Sequence, residues 1–433
     1  MKTRVIIAAF AATAVFGTAG VARAMPEVRG VTLEQADFSR IVNIGYTLTG
    51  EPAIITLSIE TNGVALPDSL VTTLSGDVCK VVQTGTCSIV WNAGADWPEH
   101  AVTNAQARVT AWSTNSPPLY MVVDMGGGYS TNVWPVSYYA SADAVPGGVT
   151  NILYKTTRLA MRRIPETGAQ GFKMGSPLTE TSRFDTEDWH DVVLTKGFYA
   201  GIYEVTQYQW QLAMADKISW PASFNNVDYR SARPVEKVSY DNIRGNSGQG
   251  GGGWPTNNNV YSDSFVGRMR GRTGLSTFDL PTDAQWEYAC RAGTSGALND
   301  GTANITNQNS DARMNALGRN KFNGGLVGGT TVPLPNCSPS NGTAIVGSYI
   351  PNAWGLYDMH GNAWEWCLDW YTDKLGTVAV TDPSGAPSGS SRVKRGAGGW
   401  NYGASFARSA SRFNNAPNYT SDSVGFRLFR TLP

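Results

Sequence analysis

The stretch GLYDMHGNAWEWCLDWY, from Gly355 to Tyr371, carries the side chains on which the fold of the second half of this chain depends. In seventeen residues it holds three tryptophans, two tyrosines, three acidic side chains, one histidine and one cysteine. Aromatic density of this kind is as typical of a core as of a binding site, because large rings bury the most area in either setting. The stretch therefore predicts either a site or a crowded piece of core, and the rest of the sequence has to decide between them.

Length and charge limit the classes of protein to which the chain can belong. Its 433 residues are enough for two domains, and its 34 basic and 34 acidic residues give a formal net charge of zero. With only 16% charged residues, there is no electrostatic reason to expect nucleic acid as a partner. The 48 glycines and 11% aromatic residues indicate loop-rich structure around aromatic clusters rather than long helices.

The first 24 residues have the pattern of a cleavable signal peptide. Lys2 and Arg4 precede an apolar run of about a dozen residues, and Ala22-Arg23-Ala24 is a small-residue cleavage site. The run is too short for a membrane-spanning helix, which needs about 20 apolar residues. We expect cleavage after Ala24, a secreted or periplasmic protein that starts at Met25, and no membrane span.

Cysteine and histidine usage bears on redox state and metal binding. Cys79 and Cys87 are close enough in sequence to bridge a hairpin, and an exported chain can form disulfides. The total of five cysteines is odd, which leaves at least one thiol free or paired between chains. The cysteine spacings match no zinc motif, and the three histidines lie far apart, which argues against a His-rich metal centre.

Changes in composition along the chain predict two domains. Residues 25–124 hold short β-rich runs closed by glycine, such as RIVNIGYTLTG and PAIITLSIETNG, and predict an all-β sandwich of structural or adhesive character. Residues 125–158 begin with a Gly-, Ser- and Pro-rich stretch and are predicted to be a linker. Residues 159–433 form the second domain, for which we predict a loop-rich α+β fold.

Two helices of the second domain are predicted from their capping residues. Thr206 stands three residues before Gln209, and Thr282 stands three residues before Gln285, which is the spacing of a capping box. The second pattern ends at Gly293, where a helix C-terminus is expected.

Six motifs follow one another in the second domain: FKMGSP, GFYAGIYEVTQYQW, RPVEKVSY, FDLPTDAQWEYACRAGT, NAWGLYDMHGNAWEWCLDWY and RVKRGAGGWNYGASFARSASRFNNAPNYTSDSVGFRL. Together, from about Leu159 to Pro433, they resemble the formylglycine-generating enzymes, which form the sulfatase-modifying factor family. The resemblance implies a C-type-lectin-like fold with little regular secondary structure, in agreement with the loop-rich prediction.

The resemblance also implies a calcium ion at the stretch quoted first. In the family, the segment that matches DMHGNAWE wraps Ca²⁺, so Asp358 and Glu365 would supply carboxylates while Gly361 and Ala363 would supply carbonyl oxygens. Such a mixture suits a hard cation that takes several oxygen ligands. On spacing alone, the two carboxylates could equally cap or salt-bridge a turn. A second calcium site of the family has only Asn315 as a counterpart here, and we leave that site open.

The catalytic cysteine pair of the family is missing at its expected positions. The family enzymes oxidise a substrate cysteine with two cysteines that bind copper as thiolates, which are the ligands that Cu(I) requires. The matching positions here are Asn401 and Phe406, and the position of a single cysteine kept in some relatives is Ala407. The facial set of histidines that iron-dependent relatives need is also missing from the sequence. We therefore expect no copper and assign no catalytic residue.

A binding role remains, and its candidate residues are aromatic, amide and arginine side chains. The stretch GGWNYGASFARSASRFNNAPNYTSD has the composition of a recognition surface, and it resembles the variable segment of proteins diversified by retroelements. Trp364 joins these candidates because the matching family position faces the active-site groove, and solvated loop is the alternative for the others. The predicted binding residues are Trp364, Trp400, Asn401, Tyr402, Phe406, Arg412, Asn414 and Asn415.

The function predicted from these observations is that of a secreted, non-catalytic module of the family with one structural calcium. Its expected ligand is a protein, a peptide or a glycan. The alternatives are an oxidoreductase of the sulfatase-modifying type whose chemistry the sequence does not reveal, and a retroelement-diversified binding protein. Whether the protein is an enzyme stays open at this point.

Overall fold

The computed structural model describes residues 25–102, 104–215, 231–323, 326–327, 330–331, 342–397 and 402–433. The predicted signal peptide lies outside these residues. The chain divides into two compact units, one formed by residues up to Val122 with Val136–Asn151, the other by Val123–Pro135 with Ile152–Pro433. Within the described ranges, no helix combines the length and the apolar character needed to cross a membrane.

The first part of the chain is built from β-strands, with a short α-helix and a 3-10 turn at Asp68–Leu70 among its described residues. The strands are β1 (Glu27–Gln35), β2 (Ile41–Thr49), β3 (Ala53–Thr61), β4 (Val64–Ala65), β5 (Leu74–Gly76), β6 (Val81–Val82), β7 (Gly85–Asn92), β8 (Ala105–Trp112), β9 (Tyr120–Asp124) and β10 (Val136–Tyr139), and helix α1 (Ala93–Asp96) follows β7. One sheet has the order β1-β2-β7-β5, and a second has the order β4-β3-β6 with β8 added on β3.

Alternation of side chains explains how the first unit buries its core. Every second residue of β2 is buried, and these residues are Val42, Ile44, Tyr46 and Leu48. They share one apolar core with Ile55 of β3 and Trp91 of β7. The prediction of a β-rich N-terminal part is confirmed, and the sandwich arrangement stays a prediction.

The second unit combines short strands with short helices. Its strands are β11 (Arg158–Ile164), β12 (Phe172–Met174), β13 (His190–Val193), β14 (Phe198–Gly201), β15 (Phe278–Asp279), β16 (Leu326–Val327), β17 (Thr330–Thr331), β18 (Trp364–Trp370), β19 (Val380–Thr381), β20 (Arg392–Arg395), β21 (Phe413–Asn415), β22 (Val424–Gly425) and β23 (Phe429–Thr431). Its helices are α2 (Gln207–Met214), α3 (Tyr240–Arg244), α4 (Phe265–Thr273), α5 (Asp283–Arg291) and α6 (Ala312–Leu317).

One sheet of the second unit, which we call the site sheet, has the order β21-β20-β18-β22. β18 pairs antiparallel with β20 and parallel with β22, so the stretch quoted first forms an interior strand. The other sheets include β11-β14-β23-β15 and β12-β13-β19. Its side chains are buried along most of its length, so both faces of β18 are covered.

Both predicted capping boxes are present. The Thr206 hydroxyl accepts from the Gln209 backbone N–H, and the Gln209 side chain accepts from the Thr206 N–H, at the start of α2. Thr282 and Gln285 make the same reciprocal pair at the start of α5. Helix α5 ends at Arg291, two residues before the predicted glycine. These signals depend on residues close in sequence, which is why they could be predicted.

Arginine–carboxylate pairs lie inside the second unit. Arg395 contacts both Asp283 and Glu287, and all three side chains are buried. Arg408 contacts Glu187 and Glu180 in the same way. Removing one partner of a buried ion pair typically costs about 3–5 kcal/mol because it leaves the other charge uncompensated. Arg395 and Arg408 of the last sequence motif therefore stabilise the core through buried ion pairs.

The segment predicted as a linker, residues 125–158, is more ordered than its composition indicates. It contains β10 and a 3-10 turn at Ile152–Lys155. Trp134 and Tyr138 are buried, and the Tyr138 backbone N–H donates to the carbonyl of Cys79. Large aromatic side chains between the glycines hold this segment in place, and the predicted domain boundaries themselves stay predictions.

The hairpin disulfide that the sequence allows is not formed in the structure. Cys79 and Cys87 are both free thiols, as are Cys290 and Cys367. The Cys87 sulfur lies near the carbonyl oxygen of Gly85, and burial raises the pKa of Cys79 to about 12. Cys337 lies outside the described residues.

Candidate binding site

Strand pairing in the site sheet brings side chains from three strands together. Lys394 on β20 lies opposite Trp366 on β18 and opposite Phe413 on β21. Trp364 stands two positions before Trp366 and shares its face, because side chains alternate along a strand. One face of the site sheet therefore combines three aromatic rings with a single lysine.

Ring contacts extend this face into a connected group. Trp364 stacks on Phe413 with the ring centroids 5.5 Å apart, and it meets Tyr402 edge-on at 5.6 Å. Tyr402 in turn contacts Phe406 at 5.0 Å. We call Trp364, Tyr402, Phe406 and Phe413 the aromatic cluster. Trp364 is buried, Tyr402 and Phe406 are half-buried and Phe413 is 38% exposed, so the cluster runs from the core to the surface.

The indole N–H of Trp364 is a buried donor that has no hydrogen-bond partner among the described residues. The neighbouring Trp366, by contrast, donates its indole N–H to the carbonyl of Val238 at 3.0 Å. A buried indole N–H usually donates a hydrogen bond, because a buried donor without an acceptor costs about 1–3 kcal/mol. An oxygen atom of a ligand could supply the acceptor that Trp364 needs.

Arg412, which the sequence predicts as a binding donor, lies in the core. It is 4% exposed, and its Nε donates to the Asp283 carboxylate at 2.7 Å. Its Nη1 donates to the carbonyls of Thr186 and Thr372, each at 3.1 Å. Since these groups occupy the guanidinium, we assign Arg412 to the buried ion-pair network instead of the binding surface.

The other predicted binding residues are divided between the site sheet and the part of the chain that the structure does not describe. Asn414 and Asn415 lie half-buried on β21, directly after Phe413. Trp400 and Asn401 lie outside the described residues, so their roles stay predictions. The structure brings Trp364, Tyr402 and Phe406 into contact, and their role in binding stays a prediction.

Phe413, Tyr419 and Lys394 belong to the same region and were not predicted. Phe413 and Tyr419 lie in the stretch GGWNYGASFARSASRFNNAPNYTSD, and their aromatic side chains are the signal in the sequence that identifies them as candidates. Lys394 carries no such signal in the sequence, because its surroundings depend on which strands flank β20.

The loop for which calcium is predicted begins at Asp358, which is buried with left-handed backbone geometry (φ 58°). One carboxylate oxygen of Asp358 accepts from the Gly347 N–H at 2.6 Å, and the other, Oδ1, has no partner among the described residues. At Gly361 (φ 93°), a Cβ atom would collide with the carbonyl oxygen of Arg319. The loop is therefore tight, and Asp358 has one oxygen available for a cation.

Glu365, the other predicted carboxylate ligand, is already neutralised by protein groups. Its Oε2 accepts from the Trp286 indole N–H at 2.6 Å, and both of its oxygens lie 2.9 Å from Nε of Arg427. Glu365 and Arg427 are both fully buried. This arrangement does not fit Glu365 as a free calcium ligand, whereas the open oxygen of Asp358 does fit a cation.

A third carboxylate, missed in the sequence, faces the same loop. Glu204 accepts from the side-chain amide of Asn362 at 2.5 Å and from the Ala363 N–H at 2.9 Å. Burial, followed by the charges of Asp358 and Glu365, raises the pKa of Glu204 well above its ordinary value. Burial likewise raises the pKa of Asp358 to about 6. Both carboxyl groups therefore hold a proton more readily than an exposed carboxyl does, and a cation bound beside them would favour their ionised forms.

Side-chain geometry alone does not define a metal centre in the described part of the chain. There, no group of three or more His, Cys, Asp or Glu side chains is arranged to hold a metal ion. His190 and His360 are each buried, with the ring Nδ1 atom near a backbone carbonyl. A calcium ion at Asp358 would need backbone carbonyl oxygens, as the resemblance implies for Gly361 and Ala363.

Comparison with known proteins identifies the second unit. Residues 167–432 match the family described as sulfatase-modifying factor enzyme 1-like domain. The bovine formylglycine-generating enzyme is 34% identical over 153 residues, which are 34% of this chain and 37% of that enzyme. The chain therefore spans well under half the length of this relative.

Two further proteins are similar over longer stretches. The chaperone protein LppX of Paenibacillus barcinonensis is 27% identical over 221 residues, which are 48% of this chain and 71% of that protein. Among solved structures, Treponema denticola variable protein 1 is 23% identical and has a TM-score of 0.47, covering 64% of this chain and 96% of its own.

Proposed function

The chain belongs to the sulfatase-modifying factor enzyme 1-like domain family, and we propose that it uses this domain to bind an extended segment of a protein partner at the aromatic cluster. The observation that carries the proposal is the continuous path of rings from buried Trp364 to half-exposed Tyr402 and Phe413. Large rigid rings that reach from a core to the surface are typical anchors of protein interfaces.

The chemistry of the cluster indicates what the bound segment would offer. The rings of Tyr402, Phe406 and Phe413 favour apolar or aromatic side chains, because these bury the most area against them. The unpartnered N–H of Trp364 favours a backbone carbonyl as acceptor. An extended peptide supplies both kinds of group at short intervals. The relative that is named a chaperone supports a protein as the partner.

The same proposal includes four properties that the sequence indicates. The protein is exported, with its signal peptide removed after Ala24, and its N-terminal strands form a sandwich. The binding domain has a C-type-lectin-like fold. A structural calcium is held by Asp358 with the carbonyls of Gly361 and Ala363. When bound, the cation would favour the ionised form of Asp358, while Glu365 stays paired with Arg427.

A second candidate is an oxidoreductase of the sulfatase-modifying type, which is favoured by the similarity to the formylglycine-generating enzymes. It is the weaker candidate because Phe406 and Asn401 replace the copper-binding cysteines of the family. A glycan is the other class of ligand, and it can be compared directly with peptides in a binding test.

The test uses the purified full chain and a displayed library of random peptides, with a panel of glycans beside it. Enriched peptides should bind the wild type, and Tyr402→Ala and Phe413→Ala should each weaken that binding by about tenfold or more. Leu178→Ala is the matched control, because Leu178 is a large apolar residue that is 86% exposed outside the cluster. All variants should keep the wild-type melting temperature within a few degrees.

Three outcomes would count against the proposal. The first is that no peptide is enriched. The second is that enriched peptides bind both cluster variants as tightly as the wild type. The third is a glycan that binds the cluster while peptides do not, which would assign the surface to carbohydrate.

A further inference from the structure

Lys394 is a buried lysine enclosed by aromatic rings. Its Nζ lies 5.3 Å from the ring centroid of Trp364, 5.4 Å from that of Phe413 and 5.3 Å from that of Tyr419. The ring of Trp366 lies 5.9 Å away, and the residue as a whole is 3% exposed. We call these four rings the lysine cage.

No acidic side chain pairs with Lys394 among the described residues, in contrast to Arg395 on the same strand. Arg395 contacts Asp283 and Glu287, and Arg392 donates to the carbonyl of Leu368 at 2.6 Å. The environment of Lys394 is thus apolar and aromatic. Desolvation of its ammonium by burial lowers the pKa of Lys394 to about 7.

A purely structural role accounts poorly for a lysine at this position. Each cation–π contact stabilises an ammonium by about 0.5–2 kcal/mol or more, which offsets part of the several kcal/mol that removing an unpaired charge from water costs. A methionine or leucine would fill the same space without that cost. A lysine held without a counter-charge in an apolar site is partly neutral, and a neutral amine is a nucleophile.

The cage borders the aromatic cluster, and the two share Trp364 and Phe413. Phe413 is 38% exposed and Tyr419 is 40% exposed, so the outer side of the cage faces solvent. Trp364, one of the rings of the cage, also carries an unpartnered indole N–H that a ligand oxygen can accept from. A carbonyl compound has the two features this site complements, an electrophilic carbon and an oxygen that accepts a hydrogen bond.

We propose that Lys394 captures aldehydes or ketones with an apolar or aromatic body by forming a Schiff base inside the lysine cage. The amine lone pair attacks the carbonyl carbon, a C–N bond forms and the C–O bond breaks. The carbonyl oxygen leaves as water with the two hydrogens of the neutral amine, and no oxidant or reductant takes part. The bond is reversible, so the site can hold a carbonyl ligand and release it by hydrolysis.

Other titratable groups around Lys394 set the conditions of the reaction. Arg392 and Arg395 flank it on β20, and Tyr402 and Tyr419 carry hydroxyls near the cage. Glu365 on β18 is neutralised by Arg427, so it does not act as a counter-charge. Since burial raises the pKa of Tyr402, its hydroxyl stays protonated near neutrality. Lys394 is therefore the group here whose charge changes near neutral pH.

The experiment treats the full chain with benzaldehyde and cyanoborohydride between about pH 6 and pH 9, and maps benzylated lysines by peptide mass spectrometry. We expect Lys394 to be labelled at least about tenfold faster than Lys374 at about pH 7, because burial lowers the pKa of Lys394 and leaves more of its amine neutral at that pH. Lys374 is the control because its side chain is 66% exposed. Labelling of Lys394 should reach half its maximum near the pKa of about 7.

Two variants test whether labelling depends on the amine of Lys394 and on the N–H of Trp364. Lys394→Arg keeps a positive group and should lose only the adduct at this position, with Lys374 still labelled. Trp364→Phe keeps an aromatic ring at this position but removes the indole N–H, and it should slow labelling of Lys394 several-fold. The proposal is overturned if Lys394 stays unlabelled while exposed lysines react, or if it is labelled with the rate and pH dependence of Lys374.

The inference goes beyond peptide binding and does not need it. Labelling is measured with benzaldehyde and no protein partner, whereas the peptide test uses no carbonyl compound. Failure of one test therefore leaves the result of the other unchanged.

Discussion

Arg427 places its Nε atom 2.9 Å from each carboxylate oxygen of Glu365, and both side chains are fully buried. The pair joins the interior strand β18 to the C-terminal segment of the chain. The same guanidinium donates to the carbonyls of Gly201 and Tyr357. Glu365, which the resemblance implies as a metal ligand, thus forms a buried ion pair. The two roles predict different effects of a Glu365 substitution on the calcium dependence of the melting temperature.

Calcium should stabilise the wild type through Asp358. A cation that binds only the folded state raises the melting temperature by mass action, so removing calcium with EDTA should lower it. Asp358→Ala should abolish this response, because it removes the carboxylate oxygen that has no hydrogen-bond partner among the described residues and can bind the ion. Melting curves recorded with calcium and with EDTA check the expectation. An unchanged wild-type curve in EDTA would show that the calcium assignment is wrong.

Glu365→Gln provides the contrast to the Asp358 variant. It leaves Arg427 without its main counter-charge, and loss of one partner of a buried pair typically costs about 3–5 kcal/mol. We expect a lower melting temperature both with calcium and with EDTA, and a calcium response of wild-type size. Loss of the response in this variant would restore Glu365 as a ligand.

Arg412 should matter for stability because it is buried. Arg412→Ala removes the contact of 2.7 Å with Asp283 and should lower the free energy of unfolding by about 3 kcal/mol or more. Arg313→Ala is the matched control, since Arg313 has a 74% exposed side chain and lies 3.9 Å from Asp300. That change should cost less than about 1 kcal/mol. Urea unfolding measures both values, and equal effects would contradict the assignment of Arg412 to the core.

Lys394 should make the folding free energy depend on pH above neutrality. Its pKa is lowered from the ordinary 10.5 to about 7 by burial, so in this range the unfolded chain binds the proton that the folded chain lacks. Stability therefore rises with pH from about 7, and below that value the full cost of burying the lysine applies. Each unit of lowering corresponds to about 1.4 kcal/mol.

Lys394→Met tests this dependence by urea unfolding between about pH 6 and pH 9. The variant should exceed the wild type in stability most clearly at the acidic end of that range, and the difference should shrink as the pH rises. Lys374→Met, an exposed control, should follow the wild-type profile. A Lys394→Met profile parallel to that of the wild type would mean that the amine keeps its ordinary pKa.

Formylglycine generation should not occur by the copper mechanism of the family. With Asn401 and Phe406 at the positions of the two cysteines, the protein has no thiolate pair there for Cu(I). We expect neither tight Cu(I) binding nor conversion of a cysteine in a sulfatase-type peptide to the aldehyde. Mass spectrometry of the peptide after incubation with the protein and Cu(I) checks this. Loss of sulfur with gain of a carbonyl would establish the oxidoreductase candidate instead.

Local signals explain what could be predicted from the sequence. The capping boxes at Thr206 and Thr282 involve partners three residues away, and the alternation of β2 follows from the geometry of a single strand. The ordered motifs of the second unit identified its family, which the match over residues 167–432 confirms. Composition also predicts a recognition stretch that contains Tyr402 and Phe406, and their rings contact each other in the structure.

Only the tertiary structure decided which polar side chains pair with other protein groups and which can bind a ligand. Arg412 and Asp283 are separated by 129 positions, and Glu365 and Arg427 by 62, so no local pattern indicates that they meet. The cage around Lys394 forms because β20 lies between β18 and β21, a choice made by strand pairing across the whole unit. A charged side chain looks the same in a sequence whether it meets solvent, a counter-charge or an aromatic wall. Its pKa and its chemistry depend on those surroundings, which only the packed chain supplies.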